Sequence, residues 1–186
     1  MTREPPVALG MIHGRFQPFH NGHLEYMVAA AGRCTRLVVG ITNPEGFPVH
    51  PEPSDPARHL PESNPFTYAE RRRMVEAAAA GTGVGPVEVF PFPVTEPELW
   101  DDHVPTGAVQ FVRVLSPWGA SKLARFEARG FATVVLEAPG GKRVSGEQVR
   151  AAMRSGGDWR ALVPPAVAAV IDALPSDRAL DRRPAA

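Results

Sequence analysis

Short apolar runs alternate along this chain with longer stretches of helical pattern. Residues 7–12 (VALGMI) and 36–41 (RLVVGI) are nearly continuous aliphatic runs, the pattern of strands buried on both faces. Residues 87–92, 109–115 and 132–136 repeat it. Between the runs lie helical stretches at 24–30, 67–80, 122–128 and 145–154, with a last helix reaching residue 174; residues 96–103 read as a short helix or turn. The punctuation agrees. Thr67 and Glu70 stand at capping-box spacing, Ser145 and Gln148 repeat it, Gly130 closes the 122–128 helix, and Pro164 and Pro165 suit a first helical turn. Strands alternating with helices predict right-handed crossovers and an α/β fold, a doubly wound parallel sheet of about five strands. Such sheets bind ligands outside the strand C-termini, where the strand order reverses.

One stretch breaks the rhythm. Residues 42–63 are too long and too proline-rich for a tight connection, and loops of that length in compact domains are usually functional or mobile. No internal repeat is visible, and 186 residues suit one domain, with a core at about 7–174 and a charged, alanine-rich tail at 176–186 that is expected to fray. Twenty Lys and Arg balance twenty Asp and Glu. That balance argues against a general nucleic-acid or membrane-surface binder, so any anion site must be a local cluster. A single cysteine, Cys34, excludes an intrachain disulfide and a cysteine-rich zinc site. No apolar run approaches the roughly 20 residues of a membrane span, and the first six residues lack a secretory core. A cytoplasmic protein is the expectation.

The chemistry concentrates in residues 14–23, GRFQPFHNGH. A strand that empties through Gly14 into a helix start, with Arg15, His20 and His23 at the junction, is an anion site. Unpaired amides at a helix N-terminus carry partial positive charge. His20 and His23 flank Gly22, which lets the backbone approach a ligand, and Arg15 adds a planar donor fork suited to phosphate. The two histidines could also simply cap the helix, or contribute to a zinc site, although no third ligand stands at suitable spacing.

These residues resemble the signature of the HxGH nucleotidyltransferase superfamily, most closely its archaeal-type nicotinamide-mononucleotide adenylyltransferase branch. Three further segments are similar at matching distances: NPFTYAER at 64–71, LWDDH at 99–103, and SGEQVR at 145–150 followed by DWRALVP at 158–164. The resemblance implies a Rossmann-like nucleotidyltransferase fold. It implies an enzyme that moves an NMP group from a nucleoside triphosphate to a phosphorylated acceptor and releases pyrophosphate, without a covalent enzyme intermediate. It assigns His20, His23 and Arg150 to catalysis, and Gly14, Arg15, Phe16, Gly22, Ser145 and Gly146 to the nucleotide phosphates. Mg²⁺ held mainly by nucleotide oxygens is the implied cofactor, with no metal site made by the protein itself; no nucleic acid or membrane partner is implied, and a homo-oligomer is compatible.

The departures bear on the substrates. The family's Thr in S-G-T is Glu147 here, expected to face solvent and cap its own helix. Gly40-Ile41-Thr42-Asn43 and Ser116-Pro117-Trp118-Gly119 replace two family turns that shape the acceptor and base pockets. Thr42, Asn43, Trp118 and Arg143 are therefore candidate pocket residues, with Trp118 a candidate stacking platform for a planar ring. ATP with nicotinamide or nicotinate mononucleotide is the pairing the resemblance implies. The alternatives are a CTP-dependent cytidylyltransferase acting on a small phosphonate, and a nucleotide-binding regulator without turnover. A dinucleotide oxidoreductase is disfavoured, because no G-x-G-x-x-G follows the first strand.

Overall fold

The computed structural model describes residues 5–141 and 143–175; the tail expected to fray at 176–186 lies outside the described residues. Five strands, β1 (Val7–Gly14), β2 (Cys34–Thr42), β3 (Glu88–Phe92), β4 (Val109–Val112) and β5 (Thr133–Val135), form one parallel sheet in the order β3-β2-β1-β4-β5. The helices are α1 (Asn21–Ala31), α2 (Tyr68–Ala80), α3 (Trp100–His103), α4 (Pro117–Ala128), α5 (Gly146–Ser155) and α6 (Pro165–Asp172). The doubly wound α/β fold is as expected.

β1 is paired along its length with β2, from Val7 opposite Cys34 to Gly14 opposite Ile41, and on its other edge with β4 at Gly10–Val109 and Met11–Gln110. The chain therefore steps outward through β2 and β3, then crosses back to the far side of β1. The crevice at the C-terminal ends of β1 and β4 is the topological switch point.

Alternation along the strands divides the core into two layers. Ile12, Val39, Ile41 and Phe111 pack with Met27, Met74, Val75, Val149 and Val167 on one face. Met11, Val38 and Phe92 pack with Trp100, Trp118 and Phe126 on the other. Gly40 lies within an aliphatic strand because a Cβ there would stand 2.8 Å from Met11 Cε and 2.9 Å from Phe92 Cβ. Its absence lets that second layer close.

At β4 and α4 the boundaries differ from the pattern reading. β4 stops at Val112 rather than running to 115, and α4 starts at Pro117 rather than near 122. Ser116 accepts from the Gly119 amide at 3.2 Å and Pro117 takes the first helical position. Serine before proline is thus a helix start here, in the segment that stands in place of a family turn.

Candidate active site

The β1–α1 turn is locked by its own side chains. Gln17, buried, donates Nε2 to the Phe66 carbonyl at 2.8 Å and accepts from the Phe66 amide at 2.9 Å. This amide pair joins the turn to the segment that leads into α2. The Gln17 carbonyl in turn accepts from Arg150 Nη1 at 2.6 Å, tying α5 to the same point. Gly146 completes the junction: a Cβ there would lie 2.7 Å from the Gln17 oxygen, a backbone atom that cannot yield. Arg71, 1 % exposed, braces the turn from α2, donating to the carbonyls of Arg15, Thr42 and Asn43. Gln17 and Arg71 are family-pattern residues whose structural work was not legible in the sequence.

His20 is the N-cap of α1, and its ring stacks on His23 with centroids 3.6 Å apart. The His20 amide donates to His23 Nδ1 at 3.3 Å, so a neutral His23 carries its proton on Nε2. The two histidines therefore do help cap the helix, and they also line a cavity at the switch point. Ser145 caps α5 across that cavity, accepting from the Gln148 amide while its own amide donates to Gln148 Oε1. A Cβ on Gly22 would lie 3.6 Å from the Val144 carbonyl, so the two helix starts converge on one volume. Gln148, not Glu147, completes the capping box; Glu147 is exposed at the cavity rim, which corrects the expected capping role.

The cavity is about 810 Å³ and gathers seven Arg or Lys side chains against four carboxylates, in a chain of zero net charge. Gly14, Arg15, Gly146, Arg143 and Arg150 all line it. Arg15 is held by Asp55 at 3.4 Å and by the Arg58 carbonyl at 3.3 Å; burial lowers its pKa and that of Arg150. Phe16 is 1 % exposed, at φ 52°, and packs edge-on against His23 with centroids 4.9 Å apart. It supports the histidine from below, where the sequence reading made it a phosphate contact.

The 42–63 segment folds back over the site. The Arg58 carbonyl accepts from Asn64 Nδ2 at 2.8 Å and Asn43 Nδ2 at 3.1 Å as well as from Arg15, which fixes the loop at this residue. The Arg58 side chain, 3 % exposed, donates to Thr42 Oγ1 at 2.7 Å and lies 4.5 Å above the Trp118 ring. Thr42 is thus a pocket residue, whereas Asn43, also at φ 52°, anchors the loop base. Trp118 is no open platform: it sits in the first turn of α4, 9 % exposed, with Arg58 and Arg125 against its ring. The sequence could not show this, because the guanidinium comes from a loop sixty residues away.

Two further residues escaped the sequence reading. His13, at the C-terminal end of β1, and Lys122, on α4, meet at 3.0 Å between Nδ1 and Nζ. Burial, reinforced by Lys122, holds His13 well below the usual histidine range. Burial next to Arg58 brings Lys122 down to about 7 and leaves Arg58 itself at about 9. The one signal for His13 was its place at the end of the first strand.

The Cytidylyltransferase-like family matches residues 11–118, more than half of the chain. The chain belongs to this family. It is 48 % identical over 173 residues to a phosphonoformate cytidylyltransferase of Streptomyces viridochromogenes, with 92 % of this chain and 94 % of that protein covered. A nicotinamide-nucleotide adenylyltransferase of Picrophilus torridus is 32 % identical over 164 residues, covering 88 % and 89 %. Among solved structures, a bifunctional NMN adenylyltransferase/ADP ribose pyrophosphatase of Francisella tularensis matches with a TM-score of 0.62 at 16 % identity. That match covers 89 % of this chain and 50 % of the bifunctional one, so the likeness is one of fold, over about half of the longer protein. The same Francisella enzyme complexed with AMP and a manganese ion matches with a TM-score of 0.58 at 17 % identity, over 81 % of this chain and 42 % of that one. This family member is a nucleotidyltransferase, as the resemblance implied.

Proposed function

We propose that this nucleotidyltransferase transfers CMP from CTP to a small phosphonate acceptor and releases pyrophosphate. The observation that carries the reading is the seat of Arg58 on Trp118. A planar nicotinamide ring would need an open aromatic face, and the one at this edge is covered by a guanidinium, which suits a compact anion instead. The 48 % identity to a phosphonoformate cytidylyltransferase supports it. ATP with a pyridine mononucleotide, the pairing suggested by the signature motifs, is the reading it displaces.

In the proposed reaction an acceptor oxygen attacks the α-phosphorus in line, and the bond from that phosphorus to the bridging oxygen of pyrophosphate breaks. No side chain becomes covalently bound, so catalysis is positioning plus stabilisation of charge on the transferring group. His23, with His20 stacked on it, serves the α-phosphate, while Ser145, the α5 amides and Arg150 hold the β- and γ-phosphates and Arg15 assists from the turn. A divalent cation, expected to be Mg²⁺, would neutralise the triphosphate. Among the described residues no cluster of three His, Cys, Asp or Glu could hold it, and Asp55 is engaged by Arg15 and Arg58; triphosphate oxygens and water are the fitting ligands.

A pyrophosphate-release screen with Mg²⁺ tests this: ATP, CTP, GTP and UTP, each against nicotinamide mononucleotide, nicotinate mononucleotide and a phosphonate panel. Release with CTP and a phosphonate is the expected result. Release with ATP and a pyridine mononucleotide, or nucleotide binding without turnover on any acceptor, overturns it.

A further inference from the structure

The acceptor side of the cavity holds a cation without a counter-ion. Lys122 is 9 % exposed and meets the His13 imidazole, with no carboxylate within ion-pair distance among the described residues. The charged and titratable groups around it come from several elements. His13 faces it from β1, Arg58 from the 42–63 segment, and Arg125 stands one turn along α4. The nearby acids are spent elsewhere. Asp55 lies 3.8 Å from Arg58 and 3.4 Å from Arg15, and Glu52 takes Arg125 at 2.7 Å and the Ser54 hydroxyl at 3.0 Å. His13 packs against Phe92 and Phe126, with centroids 5.7 and 5.0 Å away, in a three-ring cluster. When it accepts from Lys122 at Nδ1 its proton is on Nε2, a buried atom with no hydrogen-bond partner. An ammonium, a guanidinium and an imidazole buried together are unfavourable until an anion joins them. Asp55 answers Arg58 in this wall of the cavity, but Lys122 and the His13 Nε2 proton still lack an anion.

We propose that Lys122, backed by His13 and Arg58, is the specificity-determining subsite for a second anionic group on the acceptor, a carboxylate carried by the phosphonate that receives CMP. This rests on the phosphonate reading above. The phosphonate faces the α-phosphate between the two helix starts, and its carboxylate reaches the α4 side of β1, where a compact point charge waits. Because burial beside Arg58 keeps Lys122 near 7, much of the free enzyme at pH 8 carries a neutral amine there. The incoming carboxylate favours the ammonium, so binding draws a proton from solvent onto Nζ.

The test uses the full chain with phosphonoformate and methylphosphonate, as wild type, Lys122→Met and Lys122→Gln. The expected result is that the ratio of kcat/KM for phosphonoformate over methylphosphonate falls about tenfold or more in both variants. CTP binding measured without acceptor serves as the folding control. Calorimetry of phosphonoformate binding at pH 8, in two buffers of different ionisation enthalpy, should show proton uptake by the wild type that Lys122→Met abolishes. An unchanged ratio, or equal uptake in the variant, overturns the subsite. The two readings separate cleanly: if the wild type releases no pyrophosphate with any phosphonate yet binds phosphonoformate with Lys122-dependent proton uptake, the reaction is wrong and the subsite stands. No binding overturns both.

Discussion

His23 is held by rings on several sides: Phe16 edge-on, Phe19 at 5.5 Å and His20 stacked. Aromatic packing sets its direction and the His20 amide sets its tautomer, so the imidazole is pre-organised before any ligand arrives. His23→Ala should lower kcat roughly 10²–10³-fold, the range for losing one pre-organised donor, while thermal unfolding stays cooperative; near-normal turnover would remove the histidine from its proposed role. Gly146 is as demanding for a different reason. Gly146→Ala must push α5 off the Gln17 carbonyl, so the KM for the triphosphate should rise, with a stability loss of about 1–3 kcal/mol from overpacking; calorimetric melting and nucleotide titration would show both. At this scale the sequence was informative wherever function rides on adjacent residues. His20, His23, Ser145 and Gly146 were all legible, and Gln17 appeared only as part of a motif whose physical purpose, the amide pair to Phe66, joins positions 49 apart.

Among the elements, the 42–63 segment decides the shape of the cavity wall around Trp118. Its length and prolines marked it as functional or mobile, but did not show where its one buried arginine would go. The Arg58 carbonyl is the anchor, and Asn64 is its best-placed donor, bonding at once to Arg58 and to the Leu60 carbonyl at 2.9 Å. Asn64→Ala removes both bonds and should destabilise by about 1–3 kcal/mol. The KM for the acceptor should rise more than that for CTP; equal effects on both substrates would show that the loop serves the whole site rather than one side. The early start of α4 belongs to the same account. Ser116 and Pro117 wind Trp118 into a helical turn and lay its ring under Arg58.

At the scale of the molecule, charge is distributed unevenly. Positive and negative residues balance over the chain, yet the switch-point cavity is rich in cations. That arrangement opposes folding in the free enzyme, and its sign can be worked out. Lys122 sits at about 7 in the folded protein against about 10.4 when unfolded. Between those values the unfolded chain binds more protons, so stability rises with pH. His13, lowered in the fold, acts the same way in acid. Urea unfolding of the ligand-free protein should therefore show stability increasing between about pH 7 and 8, by about 1 kcal/mol per unit, below the range where the raised Cys34 thiol opposes the trend. Lys122→Met should flatten the slope and raise the melting temperature at pH 7. A falling curve in the wild type, or an unchanged slope in the variant, would contradict this charge account.

The sequence by itself determined what neighbouring residues decide: five apolar strands, capped helices between them, and a candidate phosphate-binding turn whose amides, glycine and histidines lie within ten positions. These follow from periodicity and local hydrogen bonding, which act over a few residues. Only the tertiary structure decided the Lys122 wall of the cavity, because Lys122 meets His13 across 109 positions and the Arg15 guanidinium reaches the Arg58 carbonyl across 43. Contacts of that range depend on the order in which strands pair and on the path of one long loop. A strand order that reverses beside β1 brings α4 against the first strand, and burial there gives an otherwise ordinary lysine its unusual charge state.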